Sequence, residues 1–272
     1  MTDTSAVVPP DMAEPLPIVT VPLWLHLGDA SYRDGLDLDA EEFYRRLAAG
    51  EPASTSSPSP GDFLTALESA ADSACDGIVI ITVARDLSAI FEAARAAAAE
   101  FERVQVEIFD SKTAVTGLGW VVIEAARTAA SGGTLDQVCA TAERVAGRVD
   151  LVATLSTFRY LRRSGRVPIA QAWAGSTLRV RPVIRFHQGR IETAGITFTS
   201  RSALRRIVKQ VTQDTGRLRA GIFHAAAPTE AGELETLLRR EEHDIELFTT
   251  TFSPAMGSHT GPGVVGVGWW YD

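Results

Sequence analysis

Gly77-Ile78-Val79-Ile80-Ile81-Thr82-Val83 is an almost unbroken apolar run, with no alternation for a wet face. A strand of that kind must be buried on both faces, which happens almost only in a parallel sheet covered by helices. Its neighbours agree. A helical stretch over Asp62–Ala74 precedes it, an Ala-rich helix over Ser88–Phe101 follows, and Val104–Phe109 reads as the next strand. Two further helices, near Leu118–Ala130 and Thr134–Val149, are separated by Ser131-Gly132-Gly133. This β-α-β-α order predicts an α/β chain whose first domain, residues 1–150, is a three-layer α/β/α parallel sheet.

The flanks add detail. Ile18–Leu25 alternates as a strand does. Asp39, followed by Glu42, is positioned to cap a helix whose apolar face is Phe43 and Leu47. The Ser/Pro/Thr-rich stretch Glu51–Gly61 reads as a loop. After Asp150 the texture changes. A strand at Leu151–Leu155 and a helical turn at Arg159–Arg163 lead to a hairpin, Arg181–Phe186 with Arg190–Phe198. A helix over Ser202–Gln213, a strand over Arg219–His224, a helix over Glu230–Glu242 and strands at Glu246–Thr251 and Val264–Trp270 follow. Residues 151–272 are therefore expected to form a second domain of mixed α/β pattern.

Charge and cysteine content exclude several classes. A formal net charge of -8 without a dense basic stripe argues against nucleic-acid binding, which needs cations against phosphate. Two cysteines, Cys75 and Cys139, lack metal-ligand or CxxC spacing and make no disulfide framework, so a reduced, cytoplasmic chain is expected. No signal peptide is visible at Met1-Thr2-Asp3, and the apolar runs are strand-sized, so no stable membrane insertion is expected.

Few motifs carry chemistry by themselves. Gly261-Pro262-Gly263-Val264-Val265-Gly266 fits G-x-G-x-x-G, but only six residues follow it and they read as a strand. The dinucleotide reading needs a strand before and a helix after. His259 stands among Ser258, Thr260 and glycines, where little bulk surrounds an expected loop residue. A Ser-His hydrolase built from Ser88, His259 and Asp110 is the enzymatic alternative, although no G-x-S-x-G elbow frames any serine. Hydroxyls at Thr55-Ser56-Ser57-Pro58 and at Ser88, beside the start of a long helix, suit a carboxylate, because free N–H groups and the helix dipole favour an anion. Simple N-capping by Ser88 explains that serine equally well.

These segments, in this order, resemble the DegV family of bacterial fatty-acid-binding proteins. Thr2-Asp3-Thr4-Ser5 resembles the family's opening T-D-S-T. Val21-Pro22-Leu23 and Tyr32-Arg33-Asp34 resemble its second strand and following turn, and Thr55-Ser56-Ser57-Pro58 its T-S-Q-P loop. Leu87-Ser88, with Phe91 and Ala94, matches the start of L-S-G-T-Y-x-x-A, and Phe109-Asp110-Ser111 resembles the D-S strand end. Leu161–Arg166 resembles L-x-x-G-G-R, Arg181–Ile184 resembles K-P-I-L, and Gly257–Gly263 resembles G-x-H-x-G-P-G. The resemblance implies a parallel-sheet first domain, a second domain with a mixed sheet, and a long-chain fatty acid buried between the two, whose carboxylate meets Thr55 and Ser88, with Ser56 beside them and His259 and Arg166 near the pocket mouth. It implies no catalysis and no cofactor: the acid is presented to a partner, the catalytic subunit of a fatty acid kinase, which makes an acyl-phosphate with ATP.

This sequence departs from the family pattern. Ala84-Arg85 stands where two serines are usual, Ala89-Ile90 replaces Gly-Thr, and Ser164 replaces one glycine. Phe198-Thr199-Ser200 replaces an arginine-richer stretch. With its start at T-D-S-T, the chain is expected to lack most of the opening strand, through a late assigned start or a sheet one strand short. Arg85 is a candidate extra head-group contact, since a guanidinium binds carboxylate or phosphate in bidentate fashion. The competing expectation is an exposed side chain paired with Asp86 or Glu92. A degenerate relative with only a protein-interaction role is the third functional alternative.

Overall fold

The computed structural model describes residues 1–73, 75–166 and 180–272. The first half holds β1 (Thr2–Asp3), α1 (Pro10–Ala13), β2 (Thr20–Val21), β3 (Trp24–Leu27), β4 (Ala30–Arg33), α2 (Ala40–Ala48), β5 (Ala53–Ser56) and α3 (Pro60–Ala71). It continues with β6 (Gly77–Thr82), α4 (Ile90–Glu100), β7 (Gln105–Asp110), α5 (Val115–Ala130) and α6 (Leu135–Ala146). The second half holds β8 (Asp150–Thr154), α7 (Arg159–Ser164), β9 (Arg181–His187), β10 (Arg190–Thr197), α8 (Ser200–Val211) and β11 (Leu218–His224). α9 (Pro228–Glu241), β12 (Ile245–Thr251), α10 (Pro254–Thr260) and β13 (Val265–Tyr271) complete it.

The apolar run forms β6, which pairs in parallel with β7. Residues Ile78 to Thr82 are all buried, so both faces are covered, as an uninterrupted apolar strand requires. Helices α3 and α4 pack together against β6, and so do α5 and α6. The opening strand is reduced to the two residues of β1, in keeping with the expectation that most of it is missing. β1 pairs in parallel with β2, and the Ile81 amide donates to the Met1 carbonyl at 2.9 Å, extending the hydrogen bonding from β6 to the chain start. Below β1, the buried Asp3 carboxylate accepts from the Ser5 amide and hydroxyl.

Two expectations are corrected here. The expected strand Ile18–Leu25 is split into β2 and β3, with Pro22, which has no N–H to donate, between them. The Glu51–Gly61 stretch contains β5 rather than being loop throughout: Ala53–Ser56 pairs antiparallel with β3, and β4 pairs on the other side of β3. Helix α3 begins at its Ser59–Asp62 capping box and ends at Ala71, short of Ala74, which lies outside the described residues.

The second half is a six-stranded mixed sheet in the order β10-β9-β8-β13-β11-β12. Alternation divides its two faces. Val152, Val183, Ala220, Ile222, Val265 and Val267 face α8 and α9, whereas Leu151, Ala153, Ile184, Phe186 and Phe223 face the first half. Helix α5 lies between the sheets, buried along residues 115–126. It sits hard against β13 because Gly268 has no side chain: a Cβ there would come within 2.3 Å of the Gly117 nitrogen. The Gly268 amide also donates to Thr116 Oγ1 at 3.0 Å.

Candidate functional site

The inward face of the six-stranded sheet is not fully filled. A cavity of about 160 Å³ lies between it and the first half, against roughly 10–15 Å³ for a single water in the same measure. From the first half its walls are Leu23, Val83, Leu87, Ile90 and Val115. From the second they are Leu151, Ala153, Leu155, Ile184, Phe186 and Phe223. Apolar residues on inward strand positions and helix faces therefore make a greasy chamber between the two halves.

Polar side chains reach the same cavity from elements that meet there, since α10 packs on both β5 and α7. Thr55 sits at an inward position of β5, opposite Leu25. Ser56, the next residue, is exposed and lines the cavity rim, and its hydroxyl is paired with His26 Nε2 at 3.0 Å. His259 comes from the last turn of α10 rather than from the loop expected for it. Ser253 caps that helix and Pro254 occupies its first position, where no amide donor is needed. His259 Nε2 meets Thr55 Oγ1 at 2.8 Å. Burial lowers the His259 pKa to about 4, and the nearby Arg166 cation adds to the effect, so the imidazole is neutral at ordinary pH.

Ser88 makes a second hydroxyl pair, with Ser57 Oγ at 3.0 Å. It does not cap α4 in the expected way. The N-cap is Ala89, which provides no side-chain hydrogen bond, and Ser88 Oγ instead accepts from the Ile90 amide at 3.3 Å. Ser57 belongs to the site although sequence reasoning quoted it only as part of a loop. Arg166 follows the left-handed Gly165 that ends α7, and its guanidinium donates to the Ser164 carbonyl at 3.0 Å. Arg166 lines the cavity from an exposed position and has no carboxylate partner among the described residues.

Arg85 is placed elsewhere. It does not line the cavity; its guanidinium pairs with Glu92 at 3.1 Å and lies over the Phe91 ring. The competing expectation, an exposed Arg paired with Glu92, describes it. Nor do Ser88, His259 and Asp110 assemble as a triad. His259 Nε2 is engaged by Thr55, and Asp110 Oδ1 accepts from the Arg85 and Lys112 amides. The Gly261–Gly266 run follows a helix and leads into β13, the reverse of the dinucleotide arrangement. Among the described residues no cluster of His, Cys, Asp and Glu is built to hold a metal ion. No described helix is long and apolar enough to cross a membrane.

Fold and site thus define an α/β protein of two halves with an internal apolar cavity between them, reached by hydroxyls, a neutral imidazole and a guanidinium. The chain belongs to the DegV family: the family profile, described as an uncharacterised DegV family protein, matches residues 1–272. A DegV domain-containing protein of Streptomyces coelicolor is 33% identical over 98% of this chain and 96% of its own length. Among solved structures, a Thermus thermophilus DegV family protein described as binding fatty acid superposes with a TM-score of 0.93 at 28% identity, covering 100% of this chain and 98% of that one. DegV of Bacillus subtilis, described as a fatty acid binding protein, gives 0.89 at 26% identity, again over 100% and 98%.

Proposed function

We propose that this chain binds a long-chain fatty acid in the cavity between its halves and presents the carboxylate to the catalytic subunit of a fatty acid kinase in the cytoplasm. The observation that carries the reading is the joining of an apolar chamber to two hydroxyl pairs, Thr55 with His259 and Ser57 with Ser88. In this reading residues 1–150 form one domain, supplying Thr55, Ser57 and Ser88, and residues 151–272 form the other, supplying His259, Arg166 and much of the tail wall.

The energetics suit a carrier. A tail of ~15 methylenes gains about 12 kcal/mol gross at ~0.8 kcal/mol per buried group. Ordering the tail and losing overall motion take back much of this. Hydroxyls and a neutral imidazole donate hydrogen bonds to a carboxylate, and Arg166 supplies the opposite charge at the exposed side. The head group then fixes orientation, leaving a carboxylate oxygen to attack the γ-phosphoryl of ATP on the kinase, with ADP leaving and acyl-phosphate staying bound. The chain itself supplies no catalysis and no cofactor.

Titration with palmitate and oleate, followed by incubation with a fatty acid kinase catalytic subunit and ATP, tests both halves of the proposal. Saturable binding and ATP-dependent acyl-phosphate formation that needs this chain are expected. Saturable binding without phosphorylation would remove the kinase role and leave a fatty-acid carrier; no binding would remove both.

A further inference from the structure

Asp34 opens the turn just after Arg33, the last residue of β4, and is 1% exposed. Its amide donates to the Leu23 carbonyl at 2.8 Å, and the Leu23 amide donates to Thr4 Oγ1 at 3.1 Å, so its backbone is tied to the start of β3. Its Oδ1 accepts from the Ala255 amide at 2.9 Å, across 221 residues of sequence. Ala255 is the second residue of α10 after Ser253, and its amide is one of the donors that a helix start leaves without an internal partner. A carboxylate is well placed there, because the helix dipole is positive at that end.

Helix α10 needs such an anchor. It has seven residues, with Gly257 in its middle, and a helix of that length does not hold itself together. It is seated on α2, where Gly257 lies so close that a Cβ would come within 2.3 Å of the Tyr44 hydroxyl oxygen. His259 is four residues beyond Ala255, on the same side of the helix one turn further on. A shift or rotation at the Ala255 end is therefore carried to the imidazole, whose contact with Thr55 at 2.8 Å spans the two halves.

We propose that Asp34 is a positioning residue: by holding the Ala255 amide it fixes α10 in the pose that brings His259 against Thr55 at the cavity. This rests on His259 being a ligand contact, as in the proposed function, and adds a residue that never touches the ligand.

A double-mutant cycle tests it with oleate as the probe. Asp34→Ala is expected to weaken oleate binding about tenfold in the wild-type background and less than twofold in the His259→Ala background, because the residue it acts through is gone. Equal losses in the two backgrounds, or no loss in either, would overturn the proposal. If Asp34→Ala does not fold, Asp34→Asn takes its place; it keeps an oxygen acceptor for the Ala255 amide but loses the charge. A smaller loss, again confined to the background with His259, is then expected, and a loss that persists without His259 overturns the proposal. If the wild-type protein does not bind oleate, the functional reading fails by itself. The ring-nitrogen resonances of His259 then still decide the positioning role, which requires that Asp34→Ala, or Asp34→Asn in its place, move them and is overturned if they stay at their wild-type shifts.

Discussion

Thr55 Oγ1 and His259 Nε2 lie 2.8 Å apart although 204 residues separate them in sequence. One stands on an inward position of β5 and the other on the last turn of α10, so this hydrogen bond joins the two halves at the cavity. A carboxylate arriving there competes for, or joins, an existing pair of hydrogen-bonding groups.

Removing either hydroxyl should therefore weaken acid binding without unfolding the chain. In the proposed complex Thr55→Ala and Ser88→Ala would each delete a hydrogen bond to the ligand carboxylate, which is worth roughly 1.5–3 kcal/mol. Calorimetric titration should show a loss of that size for each. Both variants should also melt slightly lower, because Ser88 accepts the Ile90 amide and Thr55 pairs with His259 across the two halves. Unchanged affinity in both variants would place the head group elsewhere.

The His259 imidazole gives stability a pH dependence of definite sign. Its folded pKa, about 4, lies below the ordinary 6.5, so the unfolded chain binds the proton more readily. Its contribution is present above pH 6.5 and is lost as pH falls through the window from 6.5 to about 4. Asp3 acts in the opposite sense, because burial raises its carboxyl pKa. The clean test is a difference: urea unfolding of wild type and His259→Asn across this window should show a shallower acid loss in the variant. Parallel pH profiles would contradict the neutral, buried imidazole.

The fold was legible where the pattern was strong. The apolar run of β6, the Ala-rich α4, the cap at Asp39 and the hairpin β9–β10 all stand close to where periodicity and turn chemistry put them. The site was less so. β5 is written Ala-Ser-Thr-Ser, a composition that reads as loop, and only its pairing with β3 makes it a strand. α10 contains Pro254 and Gly257 and is too short to declare a helical period, so His259 looked like a loop residue. Asp34 carried no local signal, because its partner Ala255 is 221 residues away. Arg85 was legible in one of its two readings: of the head-group contact and the exposed pair with Asp86 or Glu92, the structure has the pair with Glu92.

The tail wall offers an independent test. Ala153 is buried on the cavity side of β8. Ala153→Phe would place a ring in the space assigned to the tail. It should abolish oleate uptake while the chain still folds, with a melting temperature near that of the delipidated wild type, since the ring occupies space that is otherwise empty there. Retained affinity for oleate would show that the tail runs elsewhere.

Gly257→Ala probes the seat of α10 from the other side. The added methyl meets the Tyr44 hydroxyl and the Phe43 ring, both too close to accommodate it without movement. Overpacking of this kind costs about 1–3 kcal/mol, and displacement of His259 should lower oleate affinity as well. Wild-type affinity and stability together would show that α10 is held less tightly than its contacts require.

The central claim is that the cavity is a fatty-acid site, and the most direct measurement is chemical. Protein purified from a bacterial host is denatured, extracted into organic solvent and examined by mass spectrometry. About one long-chain fatty acid per chain is expected, reduced or lost in Ala153→Phe. Repeated recovery of none, with no uptake of added palmitate or oleate, would contradict it.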